Sequence, residues 1–328
     1  MTLFHPAPRT IARTGDDSPA GSLLRYLWRM SGAHQLWVCL LALIVAGLSM
    51  APLELQRRII NECIEDRNVR LLMVLGAIYL GVLVLQSGLK YCLRVYQGWL
   101  SESAVRYCRE HLARMHRRRT EDGNGGNEAN RGEGQGRAVS VIATEVDKLG
   151  GFVGEGLSQP VVNLGMLLAI GGYMLAVEPR VAALSFLFLV PQVVVVPVIQ
   201  ARINRLIEKR LDLLRELSDT VVGPGESRRD LEDAGLQPKL RRIYDNRIAI
   251  VALKFAMKGL VNLLNGLAPL AVLMIGGYFA MKGETSVGVV VAFMSGFDRL
   301  SNPLRELLAY YRIAAQANVQ HQMIARWI

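Results

Sequence analysis

The sequence predicts an all-α integral membrane protein with six transmembrane helices and long cytoplasmic helical extensions. Three observations predict it. The 328 residues are 51% hydrophobic, with a mean hydropathy of +0.25, too apolar for a soluble domain of this size. The apolar residues gather into uncharged blocks at 36–53, 71–89, 156–177, 181–201 and 259–281. Each block approaches the roughly 20 residues that carry a helix across a hydrocarbon core of about 30 Å. The charges fall between the blocks, where water or headgroups solvate them.

Taken in order, residues 1–20 read as a disordered leader, rich in Pro, Thr, Ser and Asp. The stretch 22–35 is amphipathic, with Leu23, Leu24, Leu27, Trp28 and Met30 beside Arg25 and Arg29. It fits a helix lying in the membrane interface and equally a helical extension of the first span. The six-span domain then covers 21–328, with spans near 36–56, 71–93, 153–177, 180–201, 259–281 and 286–311. The last of these is the least apolar, because "TSVGVVVAFMSGF" meets Asp298 and Arg299 after thirteen uncharged residues.

Two long loops, near 94–150 and 202–258, carry helical patterning. In the second, Ile203, Leu206, Ile207, Leu211, Leu214, Leu217 and Val221 recur every three or four residues, which makes one helix face apolar. "GPG" at 223–225 breaks that pattern, and a second helical stretch returns to the fifth span. A hairpin with arms of roughly 25 residues reaches about 40 Å past the bilayer. The first loop is interrupted by "EDGNGGNEANRGEGQG" (121–136), a linker by composition.

The formal charge is +10, from 38 Lys and Arg against 28 Asp and Glu. A nucleic-acid partner requires this charge on one compact face; its division among the segments between spans excludes that class. Basic segments report topology instead. Residues 94–149 hold ten Lys and Arg and 202–258 hold thirteen. Both long loops and both termini are therefore expected in the cytoplasm, with the protein in the cell (inner) membrane. Segment 54–70, with four Arg, is the exception to the bias.

Catalytic and metal chemistry find no pattern. No Gly-Lys dipeptide occurs, so there is no phosphate loop of the Lys-Ser or Lys-Thr type. His111 and His116 are five apart, the wrong interval for two metal ligands on one helix face. Cys39, Cys63, Cys92 and Cys108 have no paired spacing, and Glu54 reads as an interfacial side chain. The expectation is a chain with no enzymatic activity and no cofactor or metal of its own. Polar groups within spans are more informative, since a charge at mid-bilayer costs about 3 kcal/mol or more and so faces a partner or a wet cavity. Asp298, Asn302, Arg305 and Glu306 follow one another at helical steps, with Arg299 beside them. Asn262 and Asn265 on the fifth span are candidates to join them, as are Gln159 and Asn163 on the third. The stripe lines a hydrated substrate pathway, or it ties helices together, or this helix leaves the membrane early.

Several stretches are similar to the transmembrane domain of ATP-binding-cassette (ABC) exporters. "APLELQRRIINECI" (51–64) resembles that family's Pro-containing end of the first span. "GRAVSVIATEVDKLGGFVGEGLSQPV" (136–161) resembles its run into the third, with Gly136, Ser140 and Glu145 in place. "GETSVGVVVAFMSGFDRLSNPLRELLAYYRIAAQANVQHQMI" (283–324) resembles its sixth, with Gly283, Thr285, Gly288, Ala292, Phe293, Pro303, Leu304, Ala315, Gln316 and Ala317 in step. The resemblance covers about residues 20–328.

The resemblance implies a dimer, with a second transmembrane subunit of the same or a different kind, around a cavity of alternating access. It implies a nucleotide-binding ATPase domain that binds ATP and Mg and couples through the loop tips. The second tip falls at Asp219, Val222, Gly223, Pro224, Gly225 and Glu226, and the first within Glu121–Arg131. Two departures stand out: the first tip is rich in Gly and Asn, and the ATPase that usually follows the last helix is not in this sequence. The motor is expected on another chain or in a longer form. The alternatives are a motorless receptor, adapter or regulator working through its stalks, and an ion-driven transporter using Asp298 or Glu306.

Overall fold

The computed structural model describes residues 22–64, 67–121, 146–222 and 236–327. Among these the chain is all-helical, without strands. α1 (Leu23–Ser31) leads to α2 (Ala33–Leu48) and α3 (Ala51–Arg58), which runs into a π-helical segment, Ile59–Ile64. α4 (Val69–Glu121) is followed by α5 (Val146–Glu155), α6 (Ser158–Val177) and α7 (Pro179–Val222). α8 (Leu236–Ala271) continues through a second π segment, Val272–Gly276, into α9 (Gly277–Met281), and α10 (Val287–Trp327) closes the bundle.

α1 is a helix of its own and not an extension of the first span. Ser22 caps it, its hydroxyl accepting from the Arg25 N–H, and Gly32 at φ 50° ends it. That left-handed backbone is open to glycine without a Cβ penalty, so the chain turns sharply before α2. Leu27 and Met30 are buried against the bundle, while Leu24 and Trp28 stay exposed. The Tyr26 hydroxyl lies 3.0 Å from Cys108 Sγ on α4, and its ring is 5.4 Å from that of His321 on α10. Burial, reinforced by Cys108, pushes the Tyr26 phenol well above its ordinary value. None of the four cysteines is in a disulfide.

Among the described residues five helical stretches are long and apolar enough to cross a membrane: Ala33–Cys63, Val69–Glu110, Leu149–Val177, Pro179–Ser218 and Gln237–Met281. The expected sixth span, 286–311, is helical almost throughout in α10 but does not reach that apolarity. Packing supplies the reason. Val289, Val290, Ala292, Phe293, Phe297, Leu300 and Leu304 of α10 are buried, packed with Leu53, Ile170, Met174, Val181, Ala182 and Val272 of four other helical stretches. Its apolar residues are gathered on this buried face, and its polar ones, Asp298, Asn302, Arg305 and Glu306, stand on the exposed one.

The longest helices exceed the bilayer. α4, with 53 residues, is about 80 Å long, and α7, with 44, about 66 Å. α7 and α8 form the two arms of a hairpin, joined near its tip by Lys239 Nζ and Glu216 Oε1 at 3.3 Å. The predicted apolar stripe on α7 is only partly covered: Ile203 is buried, whereas Ile207, Leu211 and Leu214 are exposed.

Candidate functional site: a polar seam along the last helix

α10 presents its polar residues where the sequence placed them. Asp298, Asn302, Arg305 and Glu306 all lie on an exposed side of the single chain, and Arg299 is half-buried next to them. Arg305 donates to the Asn302 side chain one turn back. Lys90 on α4 lies close enough to Arg299 for their charges to repel. No ion pair among the described residues engages Asp298 or Glu306.

Of the stripe, Glu306 lines a cavity of about 490 Å³ between α4, α5, α6 and α10, and Asp298, Arg299, Asn302 and Arg305 lie outside it. Arg94, Ser101, Asp147, Glu155, Gln159, Glu306, Tyr310 and Gln316 are among its walls. Arg94 bridges to Glu155 at 3.2 Å, and Arg109, beyond the rim, bridges to Asp147 at 2.7 Å. Phe152 and Tyr310 stack with centroids 6.0 Å apart. Gln159 lines the same cavity as Glu306. Asn163 is buried elsewhere, its amide nitrogen without a partner among the described residues.

The fifth-span asparagines separate. Asn262 is exposed. Asn265 accepts from Gln192 Nε2 on α7 at 3.0 Å and from Ser301 Oγ on α10 at 3.3 Å. Gln192 and Ser301, at 2% and 4% exposure, do not stand out in the sequence. Their only signal there is a polar residue within an apolar block, and an interhelical bond is what satisfies such a group in the membrane.

Glu54 is not a simple interfacial side chain. It accepts two bonds from Arg57, at 2.8 and 2.7 Å, one from Arg58 at 2.7 Å, and one from the Tyr173 hydroxyl on α6 at 2.8 Å. A single carboxylate thereby satisfies two arginines of its own helix and fastens α3 to α6. Nearby, Asn61 in the first π segment reaches the N-terminus of α10. It accepts from the Gly288 N–H at 2.9 Å and donates to Ser286 Oγ at 2.8 Å. Arg180 and Glu284, 2.9 Å apart, join the turns at this same end.

Of the coupling residues, Asp219 and Val222 stand in the last turn of α7. Gly223, Pro224, Gly225 and Glu226 lie outside the described residues, as do 122–131 of the other tip and the leader 1–20. Among the described residues no group of three or more His, Cys, Asp or Glu is placed to hold a metal ion.

The fold and the apolar helices support an integral membrane protein, and its last helix carries an exposed polar row that meets a cavity at Glu306. No family model matches the chain. It is 26% identical over 181 residues to YgaD of Bacillus subtilis (strain 168), named as a putative multidrug export ATP-binding/permease protein. The match takes in 53% of this chain and 31% of the relative, so the chain spans about a third of that protein's length. The apolar helices and this relative fit the membrane domain of an ABC exporter and support a role in membrane transport.

Proposed function

We propose that the chain is the membrane-spanning part of an ATP-driven ABC exporter, with α10 as the sixth span and the α10 seam as its substrate pathway. The observation that carries this reading is the cavity of about 490 Å³ between α4, α5, α6 and α10, which has Glu306 in its wall. No ion pair among the described residues engages that carboxylate, and such a group is expensive within a membrane protein unless it faces water or a ligand. The long arms supply levers, because helices of about 60–80 Å carry displacement far past a bilayer of about 30 Å.

On this reading ATP and Mg are held by a nucleotide-binding domain, on another chain or in a longer form, and not by residues 1–328. That domain engages the α7–α8 tip around Asp219–Glu226. A second transmembrane subunit covers the apolar residues left open on the arms: Ile207, Leu211 and Leu214 on α7, and Leu240, Tyr244 and Ile248 on α8. An apolar face outside the bilayer favours a protein partner. The termini and arms lie in the cytoplasm, and the bundle lies in the inner membrane.

The test is ATPase activity in the complex purified from native membranes with this chain as bait. Vanadate-sensitive hydrolysis supports the proposal, and the subunit sizes on a gel assign the motor to its chain. Intact protein with no nucleotide-binding partner and no hydrolysis overturns it, leaving the arms as a docking device.

A further inference from the structure

The cavity at Glu306 is long and narrow. On α10 its wall runs from Glu306 through Tyr310, Ile313 and Gln316 to Gln320, at steps of three and four, which is one helix face about 21 Å long. Arg94 to Ser101 of α4 and Asp147 to Gln159 of α5 and α6 close the other sides. Spread over that length, about 490 Å³ holds an extended chain and not a globular ligand. Glu306 lies about 29 Å and Gln320 about 50 Å beyond the start of α10. With α10 crossing a bilayer of about 30 Å, the trench begins at the arm-side surface and faces water.

Its lining is acidic and rich in acceptors. Asp147, Glu155 and Glu306 stand against the single guanidinium of Arg94. Glu155 holds Arg94 at 3.2 Å and Asp147 holds Arg109 at 2.7 Å, whereas no ion pair among the described residues engages Glu306. The wall hydroxyls are already spent as donors, Ser101 to the Gly151 carbonyl at 3.1 Å and Tyr310 to that of Gly156. Gln159 and Gln320, 8% and 4% exposed, each keep a side-chain oxygen with no partner among the described residues. An amide oxygen out of water and unpaired is costly, and N–H groups of a ligand would satisfy it. Tyr310, between Glu306 and Gln320 on α10, stacks on Phe152, and such rings attract cations.

We infer that this trench binds a linear polyamine, a flexible polycation with N–H donors along its length. One terminal ammonium meets Glu306, the inner amines lie along the ring pair, and the far end reaches toward Gln320. A compact metal ion has the charge without the length, and an aliphatic chain has the length without the donors. As the cargo of an exporter the polyamine rests on the reading above; as a bound ligand it does not.

The experiment is equilibrium dialysis of radiolabelled spermine against the full chain, with any subunit that copurifies, in phosphatidylcholine nanodiscs. Empty nanodiscs are the blank. Saturable binding is expected, about tenfold tighter than that of putrescine, which is too short to use both ends and so forgoes a charged hydrogen bond. Glu306→Gln should weaken spermine binding about tenfold for the same reason. Gly98 lies in the trench wall, and a Cβ built there meets nothing within 4 Å. Gly98→Leu should therefore fill the trench, keep the helix and abolish binding. Spermine bound no tighter than putrescine, displaced by equimolar magnesium, or unaffected by either substitution overturns the inference, as does absence of binding. If Gly98→Leu does not fold, Glu306→Gln, at an exposed position, still decides. Absence of binding in a complex with vanadate-sensitive ATPase activity strikes the polyamine and leaves the exporter; binding without ATPase activity does the reverse.

Discussion

Asn61 holds the first turn of α10 from a helix that lies more than 220 residues earlier in the chain. Its side-chain oxygen accepts the Gly288 N–H at 2.9 Å while its amide nitrogen donates to Ser286 Oγ at 2.8 Å. An N-terminal helical N–H has no partner within its own helix, and here the π segment of the first span supplies one. The approach is so close that a Cβ built on Gly288 stands 2.4 Å from Asn61 Oδ1 and 2.5 Å from the Arg57 carbonyl oxygen. Backbone cannot yield as a flexible side chain does. Gly288→Ala should therefore lower the thermal stability of the purified protein by about 1–3 kcal/mol, and Asn61→Ala by about 1 kcal/mol through the lost cap. Gly277→Ala, in a helix with nothing within 4 Å, is the control and should leave the melting temperature unchanged or slightly raised.

Glu54→Gln should be more damaging than the loss of its tyrosine partner. The carboxylate is the acceptor for Arg57, Arg58 and Tyr173 together. Its neutralisation weakens the pairing with partly exposed guanidinium groups, so a loss of about 1–2 kcal/mol is expected. Tyr173→Phe removes a single bond and should cost about 1 kcal/mol. A double mutant with a loss well below the sum would place both in one network; full additivity would separate them.

The two asparagines of the fifth span should behave differently. Asn265→Ala breaks contacts to Gln192 and Ser301 and should destabilise by about 0.6–1.7 kcal/mol, the range typical of such bonds between membrane helices. Asn262→Ala, at an exposed position, should leave stability unchanged. If Asn262 lines the pathway, its effect will show in transport alone.

Alkaline pH should loosen α1. The folded-state pKa of Tyr26 is raised by burial and by Cys108, above an unfolded value near 10. The docked helix is thus unaffected below about pH 10 and loses stability as pH rises from there toward the folded value, where the phenol must stay neutral to remain buried. Tyr107 adds to the same upward push, and His321 packs against the ring. Proteolysis at Arg25 and Arg29, followed against pH, should accelerate above about pH 10 in the unaltered protein and much less in Tyr26→Phe.

Glu306→Gln and Asp298→Asn divide the pathway reading from a structural one. Both carboxylates are exposed on the single chain, so neither change should alter stability by more than about 0.5 kcal/mol. A change in substrate-stimulated ATPase activity at unaltered stability supports the pathway. A large stability loss with normal activity would make the stripe a tie between helices.

The five long apolar helices, the amphipathic stretch before the first of them, and the polar stripe of α10 were all legible in the sequence. The reason is local: free energy of transfer depends on the side chains of one segment and their period. The α7–α8 hairpin was legible for the same reason. The separateness of α1 was not, because it turns on one backbone angle at Gly32 that either reading of 22–35 allows. Glu54 was legible as a polar residue near a span end, but its donors come from α3 and α6 together, and no spacing rule links 54 with 173.

By itself, then, the sequence determined which segments leave water, roughly how long they are, and which polar groups they carry with them. Only the tertiary structure decided that the apolar face of the least apolar expected span, in α10, is buried by four other helical stretches, that Asn265 meets Gln192 and Ser301, and that Asn61 caps a helix far along the chain. Partition into an apolar phase is a sum over single residues. The choice of neighbours in that phase depends on shape and on pairing polar groups that have no water to turn to, and that choice is made only when the whole bundle packs.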